Sequence, residues 1–303
     1  MESGDFFPRT ALITGAARGI GLAIARELDG YIDYLILDDA GLSVTGEIED
    51  ADLIYKEIKK YKWKSQIIPT NILLNSFEQA KKIYDLGMEN TKGIDVLINN
   101  AAILNDKMVF NMTPEQWGKV LDCNLNGHFF LTSMITKDFR KNLYGRIINI
   151  ISSSGLIGDY GQSNYAASKG ALFSLTRVWA LELAKYGVTV NAIAPFAHTR
   201  VTDIIPDNKP WLVDYLRKAK TANPASVGKL CKFLISPDSR YITGQLFGIR
   251  DDEFYIFSQP RIIDTVKGEV TQDLFNSAIK KWEDFGWLYP LESDIMYMSK
   301  IDR

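Results

Sequence analysis

Two residue types that build chemistry in many proteins are nearly missing from this chain. Cysteine occurs twice in 303 residues, at Cys123 and Cys231, and histidine twice, at His128 and His198. Two cysteines so far apart cannot form a disulfide framework, and these four residues match no spaced zinc motif. No metal site is expected. Charge of one sign is missing as well: 35 Lys and Arg face 37 Asp and Glu, a formal net charge of −2. Without a basic surplus the chain is not built to hold nucleic acid or an anionic membrane surface. No apolar run reaches the length of a membrane span. The opening residues, MESGDFFPRT, lack a basic-then-apolar leader pattern, and the final SKIDR is no peroxisomal address. A cytoplasmic protein of a reducing compartment is expected, with neither nucleic acid nor membrane as partner.

What is there suits a packed enzyme-sized domain. Hydrophobic residues make up 46% and charged residues 24%, enough apolar material for a sizeable core. Short β-rich runs alternate with helical ones. TALIT (10–14), YLIL (34–37), SQIIP (65–69), DVLIN (95–99), GRIINIIS (145–152), VTVNAIA (188–194) and QLFGI (245–249) read as strands. Amphipathic stretches lie between them, among them a long helical one from Pro114 to Lys141. Near-continuous apolar strands joined by helices predict a doubly wound parallel α/β sheet of the Rossmann type. Residues 1–250 form one domain in this reading. Residues 251–303 form an extension packed on it, with a further strand in EFYIFSQPRI and a helix in TQDLFNSAIKKWEDFGW.

The first strand runs into TGAARGIG, which places Gly15, Gly19 and Gly21 between a strand and a helix. Glycines there let the backbone turn tightly, and the helix start offers free N–H groups to a pyrophosphate. The spacing is G-x3-G-x-G. The second strand ends in Asp38-Asp39, and either acid can accept hydrogen bonds from ribose hydroxyls while repelling a 2′-phosphate. That favours NAD over NADP. Arg18, inside the turn, is the residue that would serve a 2′-phosphate instead.

Tyr165 and Lys169 stand at i and i+4, on one helix face. A nearby ammonium stabilises a phenolate, and a phenol so tuned can exchange a proton with a substrate oxygen. The spacing recurs at Tyr55 and Lys59, in a lysine-rich surface helix, so it carries little by itself. Tyr165 differs in lying 13 residues after Ser152, at the end of a strand, and ligands bind outside the carboxyl ends of strands in such sheets. Ser153 and Ser154 compete with Ser152 for its place.

Taken together these motifs resemble the short-chain dehydrogenase/reductase family over about residues 8–249. TGAARGIG is similar to the family's cofactor turn, and Asn99 to Ala102 (NNAA) to its N-N-A-G strand end. Asn124, Ser152, Tyr165 and Lys169 correspond to its catalytic asparagine, serine, tyrosine and lysine. The resemblance implies hydride transfer with a nicotinamide cofactor, NAD being expected. It puts Gly15, Arg18, Gly19, Ile20, Gly21, Asp39, Asn71, Ile72, Asn99, Ala101, Tyr165, Lys169, Pro195 and Thr199 at that cofactor. It also implies that Asn124 holds a water joining Lys169 to solvent. A small-molecule substrate and a homo-oligomer, dimer or tetramer, are expected. The runs YGRIINIISSSGLIGDYGQSNYAASKGAL and NAIAPFAHTRVT resemble the (3R)-hydroxyacyl-CoA dehydrogenase unit of the peroxisomal multifunctional enzyme and its bacterial relatives. A 3-hydroxyacyl-CoA is the substrate this implies. Reduction of a steroid-, quinone- or polyol-like carbonyl and non-catalytic NAD binding are the competing readings. Ala102, Phe196 and Arg250-Asp251-Asp252 depart from the family pattern. The aromatic-rich extension (Phe254, Tyr255, Phe257, Trp282, Phe285, Trp287, Tyr289) is read as packing, or as a cover over this pocket or a neighbour's.

Overall fold

The computed structural model describes residues 8–197, 210–288 and 292–298. Among these, eight strands form one sheet in the order β3-β2-β1-β4-β5-β6-β7-β8. The strands are β1 (Thr10–Thr14), β2 (Tyr34–Asp38), β3 (Gln66–Thr70), β4 (Val96–Asn99), β5 (Gly145–Ile150), β6 (Val188–Pro195), β7 (Leu246–Arg250) and β8 (Glu253–Ile256). The first seven are parallel and β8 runs antiparallel to β7.

Continuous apolar strands are explained by two buried faces. Alternate residues of one strand feed opposite layers, as the period of two in a strand requires. Ala11 and Ile13 of β1, Leu35 and Leu37 of β2, and Val96 and Ile98 of β4 pack toward Ile24, Leu28, Val227 and Leu230. These come from α1 (Gly19–Leu28) and α9 (Ala225–Ile235), with α2 (Leu53–Ile58) on the same side. Leu12, Ile36, Leu97 and Ile147 point the other way. They meet Ile83, Leu131, Ile135, Phe139 and Trp179 of α3 (Phe77–Asn90), α5 (Gly127–Asn142) and α7 (Ser163–Leu183).

The strand order reverses beside β1, whose neighbours are β2 and β4. The chain leaves β1 and β4 toward opposite layers, and a crevice opens above their carboxyl ends. The long helical stretch expected from Pro114 is divided. Here α4 (Pro114–Leu121) starts at a Thr113–Gln116 capping box, and a π turn at Asp122–Asn126 follows before α5. Such a turn carries one extra residue and commonly marks a functional position.

The boundary expected at residue 250 falls inside a hairpin. Arg250 pairs with Glu253 across a turn at Asp251 and Asp252, and Asp251 has φ +48°, so β8 completes the main sheet. The extension continues through α10 (Gln272–Asp284) to the short helix α11 (Asp294–Met298). There it meets α8 (Pro210–Thr221) and the loop at Gly158, whose carbonyl accepts from the Asp294 N–H at 2.7 Å. The extension thus spans from the β7 edge to the crevice. Within the core, Leu35→Ala should cost about 2–5 kcal/mol, read as a lower midpoint in urea unfolding with little change in slope; the side chain is fully buried in β2.

Candidate active site

The crevice encloses about 320 Å³, and its walls include Gly15, Gly19, Gly21, Asp39, Ala101, Ser152, Tyr165, Lys169, Pro195 and Asp294. Its floor begins at the glycine turn. Gly15 has φ +66°, and a side chain there would meet the Ala101 Cα at 2.8 Å. A Cβ on Gly21 would sit 2.0 Å from the Gly15 carbonyl oxygen. Only hydrogen fits at these two positions, and the close approach they permit leaves the start of α1 open to a ligand.

The turn is held from below. Thr14 Oγ1 accepts from the N–H groups of Asn100 and Ala101, both at 3.0 Å, and the Asn100 amide donates back to Thr14 O at 2.8 Å and Gly15 O at 3.0 Å. His128 extends the chain: Nδ1 donates to the Asn124 carbonyl at 3.1 Å while Nε2 faces Thr14 Oγ1 at 3.3 Å. A carbonyl can only accept, so Nδ1 carries the proton and Nε2 accepts from the threonine. Burial and the charge of Lys169 push the imidazole pKa down to about 3. His128 therefore stays neutral and structural. In the sequence His128 stands out only as a possible metal ligand; its spacing of four from Asn124 is the signal for a helix-face contact. Asn100 was likewise missed beside Asn99.

The two acids at the end of β2 part company. Asp38 is buried and accepts from the Ile72 N–H at 3.1 Å, and burial lifts its carboxyl well above the usual range. Asp39 faces the crevice and accepts from Ala17 N and Gly41 N, both at 2.9 Å. Arg18 donates to the Leu42 carbonyl at 2.7 Å and approaches Glu49 at 4.0 Å. Ile20 and Ile72 also line the wall. Asn71 does not: it is exposed and its amide donates to Ala51 O. Asn99 lies beneath the floor, donating to Thr132 and Asn149. Thr199 lies outside the described residues.

At the far end, the three serines after β5 take different partners. Ser152 Oγ stands 2.9 Å from Ser154 Oγ and accepts the Ser154 N–H. Ser154 is buried, and Ser153 donates to Asp294 Oδ2 at 2.9 Å. Ser152 is the serine that hydrogen-bonds the Tyr165 phenol. Burial raises that phenol above its ordinary pKa, the Ser152 bond opposes the rise, and the Asp106 and Asp294 charges add to it. Lys169 Nζ donates to the Ile150 carbonyl at 2.8 Å and sits 5.8 Å from the Tyr165 ring. Burial alone drives its pKa down to about 7. Asn124 sits in the π turn, where its amide grips both backbone groups of Ile103 at 2.9 Å and approaches Ser168. Tyr55 and Lys59 are remote from the crevice, on the layer of α2.

A short chain dehydrogenase family profile matches residues 9–210. The chain belongs to this family. Curated relatives agree with the match. The 3-oxoacyl-(acyl-carrier-protein) reductase FabG of Thermotoga maritima is 34% identical over 245 residues, covering 80% of this chain and 96% of that one. A 3-oxoacyl-(acyl-carrier-protein) reductase of Synechocystis is 35% identical over 243 residues, with 80% and 95% covered. The crystal structure of a short chain dehydrogenase from Mycobacterium avium superposes with a TM-score of 0.73 at 26% identity, covering 95% of this chain and 98% of that one. This short-chain dehydrogenase is an oxidoreductase that acts on CH–OH groups with a nicotinamide cofactor. The residues present fit such a dinucleotide: the cradle at Gly15 and Gly21 excludes any side chain, and the Asp39 carboxylate stands at its rim.

The buried ammonium gives a pH signature. Below about pH 7 Lys169 is charged in both folded and unfolded chains, and its burial costs stability. Between about 7 and 10.5 the folded amine has lost its proton while the unfolded one keeps it, so stability rises with pH. Comparing Lys169→Met with the parent in urea unfolding should therefore show a stability difference that shifts in the parent's favour from pH 7 to 10, by up to about 1.4 kcal/mol per pH unit.

Proposed function

We propose that this short-chain dehydrogenase interconverts a secondary alcohol and a ketone using NAD(H). The observation that carries the reading is the meeting of Ser152, Tyr165 and Lys169 on one crevice wall, across from the glycine turn. Nicotinamide, when bound, supplies the hydride acceptor or donor. The chain's own residues handle the rest. Ser152 hydrogen-bonds the reacting oxygen. Tyr165 takes the hydroxyl proton during oxidation and returns it during reduction. Lys169, in its charged form, stabilises the phenolate and holds ribose hydroxyls. Asn124 keeps the loop after β4 in register through Ile103 and, in this reading, holds a water that joins Lys169 to solvent. A positioned acid–base of this kind contributes on the order of 10²–10⁴-fold in rate.

NAD is favoured over NADP by Asp39, whose carboxylate would meet a 2′-phosphate with like charge, while Arg18 is engaged by Leu42 and faces Glu49. A 3-hydroxyacyl thioester is a second reading of the substrate, favoured by the names of the curated relatives, which are 3-oxoacyl reductases.

Tyr165→Phe tests the first reading. Turnover should fall by about 10²-fold or more while NADH affinity, followed by fluorescence titration, stays within about threefold; near-normal turnover would remove Tyr165 from the chemistry. Asp39→Ala tests the cofactor choice. NAD should bind more weakly by about tenfold or more and the preference over NADP should shrink, by roughly the worth of one hydrogen bond to a charged group. Equal affinities before and after would move the ribose contact elsewhere.

A further inference from the structure

The crevice contains a carboxyl that catalysis by Ser152, Tyr165 and Lys169 does not use. Asp294 comes from α11, at the end of the extension, yet lines the same crevice. It is 8% exposed. One carboxyl oxygen, Oδ2, accepts from Ser153 Oγ at 2.9 Å, and its backbone N–H is tied to Gly158 O at 2.7 Å. The other oxygen, Oδ1, is buried with no hydrogen-bond partner among the described residues. A buried carboxyl oxygen without a donor is costly, so its retention calls for an occupant.

We infer that Asp294 is a specificity residue, its Oδ1 accepting from a second hydroxyl of the substrate, adjacent to the carbon that is oxidised. Such a substrate is a small vicinal diol or its hydroxyketone. The inference rests on the alcohol–ketone reading above and adds the substrate's second group. Ser153, which holds the carboxyl, is next in the chain to Ser152, and Ser152, Ser153 and Asp294 line the same crevice. Asp294 also acts electrostatically on Tyr165, and both line the crevice. The surroundings agree with a neutral hydroxylated ligand. Asp159 lines this end too, half-buried and tied to Ser293, and among the described lining residues the only cations are Lys169 beneath and Arg18 at the glycine turn. An anionic substrate end would find two carboxyls here, while Lys169 is engaged by the Ile150 carbonyl and Arg18 by the Leu42 carbonyl. Burial pushes Asp294 up to about 7, which eases the cost of keeping an acid there; as a carboxylate its Oδ1 accepts from the hydroxyl, and once protonated Oδ1 donates to the same hydroxyl oxygen while Oδ2 keeps the Ser153 bond.

The test is kcat/KM with NAD for butane-2,3-diol against butan-2-ol, which share a skeleton and differ by the second hydroxyl. The full-length enzyme should prefer the diol by at least about tenfold, and Asp294→Leu should bring the ratio to within about threefold, because a site built around a hydroxyl rejects the analogue without it. Asp294→Asn, which keeps the size and an accepting oxygen, should retain more of the preference than Asp294→Leu. NADH affinity, measured on each variant, reports whether the fold has survived. A diol preference that persists in Asp294→Leu overturns the assignment. Equal use of the two alcohols by the parent enzyme overturns it and leaves the alcohol–ketone reading standing. Turnover of neither overturns it as well, and a 3-hydroxyacyl thioester assayed beside them then shows whether the wider reading falls too.

Discussion

Everything at the crevice depends on how Thr14 holds two diverging strands together. At the carboxyl ends of β1 and β4 the parallel ladder stops and the chain must leave in opposite directions. The Thr14 hydroxyl takes two backbone N–H groups from the loop after β4, and the Asn100 amide returns two bonds to the turn after β1. The loop backbone is then pressed against Gly15, which is why no side chain fits there. A turn built for close approach to a ligand is thus a consequence of joining two strand ends without open backbone polar groups.

From that junction, order passes along neutral and charged groups of rising cost. His128, kept neutral by burial, links Thr14 to the Asn124 carbonyl, and the Asn124 amide clamps Ile103. The π turn supplies the extra residue that lets one helix present both Asn124 and His128 inward. Beyond it sits Lys169, with a backbone carbonyl and no carboxylate as its partner. An ammonium in that position weakens the fold and is worth keeping only where a developing negative charge or a cofactor hydroxyl meets it.

The extension changes the sheet and the site at once. By pairing β8 with β7 it moves the open edge outward, and by returning to Gly158 it closes the crevice with Asp294 and Ile295. Between these two anchor points the extension supports itself: Ala278 is buried beside Leu274 and Phe275, and Trp282 donates to Asp264, all within the segment.

Much of this was legible in the sequence because it is local or periodic. β1 through β7 announce themselves as apolar runs, since a strand buried on both faces has no polar side to alternate with. The glycine turn, Ser152, Tyr165 and Lys169 are separated by spacings that the strand–turn–helix pattern brings to one edge. Other choices needed contacts between distant segments. Asp38 and Asp39 are equivalent as letters; the approach of Ile72 from the loop after β3 takes one, and Ala17 from the glycine turn meets the other. Asn99 and Asn100 differ only in pleat, one facing beneath the sheet and one the turn. The seats of Ser153 and Ser154 depend on Asp294 and on the packing of α6 (Ser154–Ile157) against α7. Local sequence determined which backbone forms and where the chemistry-bearing residues recur. Tertiary structure decided which copy of each faces the crevice, because that depends on which distant donor or acceptor satisfies the other one first.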